Sequence, residues 1–210
     1  MRDYGVIVQE VVKRIKELEE QPYVPVGVSN RHLHLKKEDL EALFGTGYEL
    51  TKMKDLKQLG QFAANETVTI VGPKGSIENV RILGPVRNLT QLEISLTDSF
   101  KLGVKAPVKE SGKITGTPGI TLVGPKGKLD INEGVIAALR HVHVSPPFAE
   151  KFHLKDKEMV SVHFDGIRQV TFNNVLIRVS NRFVEEMHLD TDEANAAGIG
   201  TGAIGKIMKG

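Results

Sequence analysis

The chain repeats itself, and the repeat limits what it can fold into. Arg31-His32-Leu33-His34-Leu35 returns as Arg140-His141-Val142-His143-Val144, at an offset of 109 positions. Residues 82–104 align without a gap on residues 177–199, at an offset of 95. In that alignment Arg87 falls on Arg182, Glu93 on His188, Asp98 on Glu193 and Gly103 on Gly198. The unequal offsets place an insertion between the two motifs of the first half, within residues 50–65. A duplication of this size predicts two similar small domains related by a pseudo-twofold.

In a strand, alternate side chains share a face, so each His-x-His aims two imidazoles the same way. Imidazole is the commonest metal ligand, and two copies inside repeated flanks favour a metal site over an ordinary surface pair. Each half adds one further donor, which defines the sets His32, His34, Glu93 and His141, His143, His188. Three protein ligands is the count of catalytic zinc, which keeps a position for substrate or water; structural zinc takes four, often thiolates. The chain has no cysteine, which excludes thiolate ligands, disulfides and a cysteine nucleophile. Two such sets would make a two-metal centre able to polarise an acyl or phosphoryl oxygen. Zinc is the expected ion, although nitrogen and oxygen donors also admit cobalt, iron or manganese.

Arg87 lies six residues before Glu93, and a guanidinium fork suits phosphate. An ordinary salt bridge is its alternative role, and Arg182 is read as structural. Gly72-Pro73-Lys74-Gly75 reads as a tight turn whose lysine can act as a point charge for a phosphate group, and a second Gly-Pro-Lys-Gly occupies 124–127. His153 and His163 have no duplicated partner and are read as structural. The chain lacks the G-x-S-x-G, P-loop and dinucleotide-binding motifs.

Apolar periodicity predicts a helix over Asp3 to Glu20, with the stripe Tyr4, Val8, Val11, Ile15 and Leu18, stopped by Pro22 and Pro25. It would pack on its own body or a dimer partner, or serve as a detachable tag for another protein. A strand is expected over Val26 to Leu35 and a short helix over Lys37 to Phe44. Residues 50–65 read as irregular or briefly helical, and Lys105 to Gly119 as an exposed loop near the domain junction. Strands are expected from Glu66, at Val68–Val71, Val80–Leu83, Ile120–Val123, Met159–Phe164, Gln169–Phe172 and Val175–Val179, with a helical turn at Asp192–Ala197. Many short strands separated by frequent turns predict a mainly β protein of two small barrels. The net charge of +2 carries no footprint for nucleic acid. No apolar run reaches the length of a membrane span, and the N-terminus lacks a secretory signal, so a cytoplasmic protein is expected.

Pro25-Val-Gly-Val-Ser-Asn-Arg-His-Leu-His34, Gly72-Pro-Lys-Gly75, the segment Arg87 to Asp98, Arg140-His-Val-His-Val-Ser-Pro146 and Glu186-Met-His-Leu-Asp-Thr-Asp-Glu-Ala-Asn-Ala-Ala-Gly198 resemble the propanediol-utilisation phosphotransacylases, also called phosphate propanoyltransferases. The resemblance runs from about Tyr23 to Gly198. It implies two β barrels capped by short helices, with a dinuclear zinc site between them. The implied domains are an N-terminal amphipathic helix over 1–22, a central barrel over 31–138, and a second barrel from 23–30 plus 139–210. It implies two zinc ions per chain on the six ligands already named, and a catalytic Arg87 that binds and orients phosphate. It places coenzyme A contacts at Val28, Ser29, Asn30, Lys74, Arg81 and Asn195. The implied reaction is reversible transfer of a propanoyl or other short acyl group between coenzyme A and phosphate. A homo-oligomer, a dimer, is expected. In family members from bacterial microcompartments an N-terminal helix directs encapsulation, and residues 3–20 look like such a helix. Two alternatives keep the same ligands: a metal-dependent acyl-CoA thioesterase or hydrolase, and a non-catalytic, metal-stabilised microcompartment component. Residues after Gly198 match the family less well, and no role is assigned to 199–210.

Overall fold

The computed structural model describes residues 4–209. Of the expected N-terminal helix, Asp3 lies outside the described residues, as do the side chains at 14 and 17–19, including the stripe's Leu18. The rest forms α1 (Tyr4–Glu19), in which every described side chain is exposed. Its described apolar residues, Tyr4 to Ile15, are therefore not covered by this chain's own body.

The elements follow in order as β1 (Tyr23–Ser29), β2 (His32–His34), α2 (Lys37–Phe44), β3 (Lys52–Asp55), β4 (Phe62–Val71) and β5 (Ser76–Gly84). Next come β6 (Gln91–Glu93), α3 (Leu96–Leu102), β7 (Val108–Lys109), β8 (Ile120–Val123), β9 (Lys128–Ile131), β10 (Val135–Ala138) and β11 (His141–Val144). The chain ends with α4 (Pro146–Lys151), β12 (Met159–Phe164), β13 (Val170–Val179), β14 (Glu186–Asp190), α5 (Thr191–Ala197) and β15 (Ile204–Met208).

The protein is mainly β and divides into two compact units. One comprises residues 1–27, 141–188 and 196–210; the other comprises 28–140 and 189–195. Strands β1, β14, β11, β13, β12 and β15 close into a six-stranded barrel in that order. The second sheet runs β7-β10-β6-β2-β5-β4-β8-β9, with β3 on β4, and curls into a half-barrel without closing. Val142, Val144, Val162, Phe164, Val175, Ile177 and Met187 are among the buried residues of the barrel. Leu33, Leu35, Leu40, Leu43, Ile70, Ile82, Leu92, Leu102 and Leu122 share the core of the other unit.

The repeat is reproduced in strand register. β2 lies between β5, parallel, with Leu33 opposite Ile82, and β6, antiparallel, with Leu33 opposite Leu92. β11 lies between β13, parallel, with Val142 opposite Ile177, and β14, antiparallel, with Val142 opposite Met187. Every one of these pairs is related by the two sequence offsets. Leu33 and Val142 are fully buried and act as the hydrophobic pins of the two His-x-His strands.

Several expectations need correction. The strand expected over Val26–Leu35 is broken at Asn30 and Arg31, where the Asn30 side chain accepts the Arg31 backbone N–H at 2.8 Å. Residues 50–65 are not helical: they hold β3, an exposed edge strand, and the start of β4. β4 thus begins at Phe62 rather than Glu66. The strands expected at 169–172 and 175–179 are one continuous β13. The loop expected to be exposed at 105–119 contributes β7 and buries Ala106, Ile114 and Thr117.

Both Gly-Pro-Lys-Gly segments are hairpin turns docked on a helix C-terminus. Gly72 N–H donates to Gly75 O and Lys74 N–H to Leu102 O, at 2.9 and 3.0 Å. Gly124 N–H donates to Gly127 O and Lys126 N–H to Leu43 O, at 2.8 and 3.0 Å. A Cβ on Gly72 or Gly124 would collide with the Leu102 or Leu43 carbonyl, so only glycine allows this approach.

Candidate active site

In the half-barrel unit, β2 and β6 place His32 directly opposite Glu93, with His32 Nε2 3.5 Å from Glu93 Oε2. His34 lies two residues along on the same face. The backbone sets both tautomers: His32 Nδ1 donates to Asn30 O at 2.9 Å and His34 Nδ1 to Leu83 O at 3.3 Å. Each imidazole therefore keeps its Nε2 lone pair for the shared face. Gln91 Nε2 and Ser111 Oγ donate to Glu93 Oε1 at 2.7 and 2.8 Å, which leaves Oε2 facing the histidines. Burial, with His32 and Arg87 adding to it, holds His34 well below the usual imidazole range. It is neutral at physiological pH, as a ligand must be.

The barrel unit repeats this arrangement. His141 lies opposite His188 across β11 and β14. His188 Nε2 donates to Glu186 Oε2 at 2.9 Å, so its Nδ1 lone pair faces His141 Nε2 at 3.1 Å. His143 stacks on Phe183 with ring centroids 4.0 Å apart. Burial, reinforced by His141, His188 and Arg178, holds His143 below the usual imidazole range.

The donor atoms of each set lie within 4.8 Å of one another. Both ring nitrogens of His143 are buried without a hydrogen-bond partner, an arrangement that costs free energy unless something binds there. Tetrahedral zinc with nitrogen ligands separates its donors by about 3.3 Å. The 3.1 and 3.5 Å separations sit close to that spacing, and the residues fit a divalent ion. All six metal-ligand candidates are thus brought together in two sets of three. His153 and His163 enter neither set.

Two further repeat pairs support these sets, although sequence reasoning gave them no role. Arg31 makes a bidentate ion pair with Asp98, and Arg140 pairs with Glu193 at 2.8 Å. Asp98 closes a capping box with Ser95 at the start of α3, and Glu193 exchanges the equivalent bonds with Asp190 before α5. Each pair joins the arginine that precedes a His-x-His motif to an acidic residue on the helix that follows the third ligand candidate. The signal was present in the alignment, where Arg31 repeats as Arg140 and Asp98 as Glu193.

Arg87 is half-buried. Its backbone N–H donates to Leu35 O at 2.8 Å and its Nη2 to Gln61 Oε1 at 3.4 Å. Its charge acts on His34, which places it beside the first set. Arg182, its repeat counterpart, is exposed. The six candidate coenzyme A contacts all fall in the half-barrel unit. Val28 and Ser29 end β1 and Asn30 follows it toward His32, Arg81 pairs with His32 across β5 and β2, Lys74 sits on the β4–β5 turn, and Asn195 is exposed on α5. Arg81 Nη1 is anchored by the Ala64 and Asn65 carbonyls at 3.0 and 2.8 Å.

Comparison with known proteins identifies the family. The family model described as phosphate propanoyltransferase matches residues 25–200. A phosphate propanoyltransferase of Thermotoga maritima is 54% identical over 208 residues, covering 97% of this chain and 99% of that protein. The Lachnoclostridium phytofermentans protein of the same name is 59% identical over 186 residues, covering 88% and 87% of the two chains. That of Salmonella typhimurium is 50% identical over 193 residues, covering 91% of each. With a match of this extent and identity, the chain belongs to the phosphate propanoyltransferase family, whose members are phosphate acyltransferases.

Proposed function

We propose that this chain reversibly transfers a propanoyl group between coenzyme A and inorganic phosphate, with one zinc ion held by each three-residue set. The observation that carries the reading is the near full-length match to proteins named for that reaction, in a chain whose two ligand sets repeat in register. Bound zinc would act as a Lewis acid toward a carbonyl or phosphoryl oxygen and as a partner for a departing thiolate.

The chain's own residues do the binding and orienting. Arg87 offers a guanidinium fork to phosphate, neutralising part of its charge as it meets a second anion, the acyl-coenzyme A. A phosphate oxygen bonds to the carbonyl carbon. The resulting tetrahedral adduct re-forms C=O as the C–S bond breaks, and the proton of hydrogenphosphate ends on the coenzyme A thiol. With no cysteine in the chain, direct attack is simpler than a route through an acyl-thiol enzyme. Lys74 and Arg81 are assigned to the coenzyme A phosphates, and Val28, Ser29, Asn30 and Asn195 to its remaining polar groups. No helix among the described residues is long and apolar enough to cross a membrane. α1 is assigned to docking on a microcompartment protein, and the enzyme is expected to be a dimer.

The test is release of coenzyme A from propanoyl-CoA with and without phosphate, before and after chelation. Phosphate-dependent release that is lost on chelation and restored by zinc supports the proposal. Phosphate-independent release would make the protein a thioesterase, and metal binding without turnover would make it a scaffold.

A further inference from the structure

Gln91 and Glu186 occupy the same position of the repeat, each two residues before the third ligand candidate of its half. Gln91 lies opposite His34 and Glu186 opposite His143 in the antiparallel pairings. Both are buried. Their hydrogen bonds run in opposite directions. Gln91 Nε2 donates to Glu93 Oε1 at 2.7 Å, whereas Glu186 Oε2 accepts from His188 Nε2 at 2.9 Å. The orientation of the Gln91 amide is fixed, because its Oε1 accepts the Gly112 backbone N–H at 2.7 Å. The Glu186 carboxyl packs against Gly27, where an added Cβ would come within 2.9 Å of Glu186 Cδ, so a glycine there makes room for it.

We infer that Gln91 and Glu186 are positioning residues, matched in polarity to the ligand each supports. The inference rests on the metal reading given under Proposed function. A carboxylate ligand needs a donor behind its outer oxygen, and an imidazole ligand needs an acceptor behind its N–H. Glutamine before Glu93 and glutamate before His188 meet those two needs. The exchange also leaves one carboxylate in each half, as a ligand candidate in the first and as the supporting acceptor in the second. Two chemically different sets therefore present the same formal charge to a divalent ion.

A swap tests this. Gln91→Glu alone sets a carboxylate against Glu93, and like charges so close oppose each other. Glu93→His alone turns an imidazole N–H toward the Gln91 amide N–H2. Made together, the two substitutions rebuild on β6 the arrangement that β14 already carries. Ser111, which now accepts from Gln91 Nε2 at 2.8 Å, would reverse to donate to the new carboxylate.

Zinc content and competition against a chromogenic chelator are measured for the unaltered protein, both single variants and the double variant. Thermal unfolding is followed with and without EDTA. The unaltered protein should hold two equivalents, and each single variant should bind about 10–100-fold more weakly at one site. The double variant should regain most of that loss. Unchanged unfolding of the chelated single variants would show that the loss lies in metal binding rather than in folding. The reciprocal exchange of Glu186→Gln with His188→Glu gives a second, independent reading if the first double variant fails to fold. A double variant no better than its weaker single parent, in an unaltered protein that holds two equivalents, overturns the polarity rule alone. An unaltered protein that holds no metal overturns the metal reading along with it.

Discussion

Arg31 clamps Asp98 with two hydrogen bonds, Nε to Oδ2 at 2.7 Å and Nη2 to Oδ1 at 2.9 Å, and Asp98 at the same time caps the first turn of α3. One nearly buried carboxylate thus joins the residue before His32 to the helix that follows Glu93. The Asp98 carboxylate also accepts from the Ser95 backbone N–H, completing the capping box.

Asp98→Ala should therefore destabilise the fold by about 2 kcal/mol, combining a lost cap of about 1 kcal/mol with a partly exposed ion pair of similar worth. Chemical denaturation of the chelated protein measures this directly. Asp98→Asn, which keeps part of the capping geometry, should lose less. Equal losses would assign the whole effect to the ion pair.

Arg87→Ala should raise the KM for phosphate while leaving that for acyl-CoA nearly unchanged. A charge-assisted contact of this kind is worth about 1.5–3 kcal/mol, or roughly 10–100-fold. Kinetics with each substrate varied separately would show it. An unaltered phosphate dependence would return Arg87 to a purely structural role beside Gln61.

Glu66 makes a pH prediction. Burial pushes its carboxyl up, but the Thr51 hydroxyl and backbone N–H at 2.7 and 3.1 Å and the Tyr48 hydroxyl at 3.0 Å outweigh that and hold it below the usual carboxylate range. A carboxyl depressed in the fold contributes stability that is fully present above its unfolded pKa of about 4.3 and is lost as pH falls through the lower folded value. The same bonds tie the segment around Thr51 to β4. Glu66→Gln should lower stability at pH 7 and flatten the acid side of the stability profile below about pH 4.3. Thermal unfolding from pH 7 to pH 3 tests both, and parallel profiles for the two proteins would show that Glu66 makes no such contribution.

The candidate sets were legible because His-x-His recurs at one offset and the ungapped alignment at the other carries Glu93 onto His188, both of them metal-ligand types, and a fixed offset becomes a fixed register once strands pair. His32 opposite Glu93 and His141 opposite His188 are the two offsets read across a ladder. Gln91 and Glu186 were not legible, because a glutamine is not a metal-ligand type and the supporting role of each rests on a hydrogen bond that only the folded strands show. Ser111 was hidden for another reason: it comes from a Pro- and Gly-rich loop with no periodicity to place it near Glu93. β3 was missed because Lys52-Met-Lys-Asp55 is exposed on every side chain and shows no alternation. The closed barrel depends on β1 pairing with β15 from opposite ends of the chain, a contact with no local signature.

The last prediction concerns α1. Removing residues 1–20 should leave turnover within about twofold and unfolding nearly unchanged, because every described side chain of the helix is exposed. Tyr4 is 72% exposed and Val8 59%, and Val11 and Ile15 continue the same stripe. The cut spares the bonds that begin the barrel: Tyr23 N–H donates to Gln21 O at 2.8 Å, and Ile207 N–H to Pro22 O at 3.0 Å. What should change is association, since an exposed apolar stripe of this length favours a partner surface. Size-exclusion chromatography of the truncated and full-length proteins, alongside activity, makes the comparison. The truncated protein should elute as a smaller, more uniform species than its lost mass explains. If it is inactive or fails to fold, α1 is part of the enzyme's own architecture and the docking role is wrong.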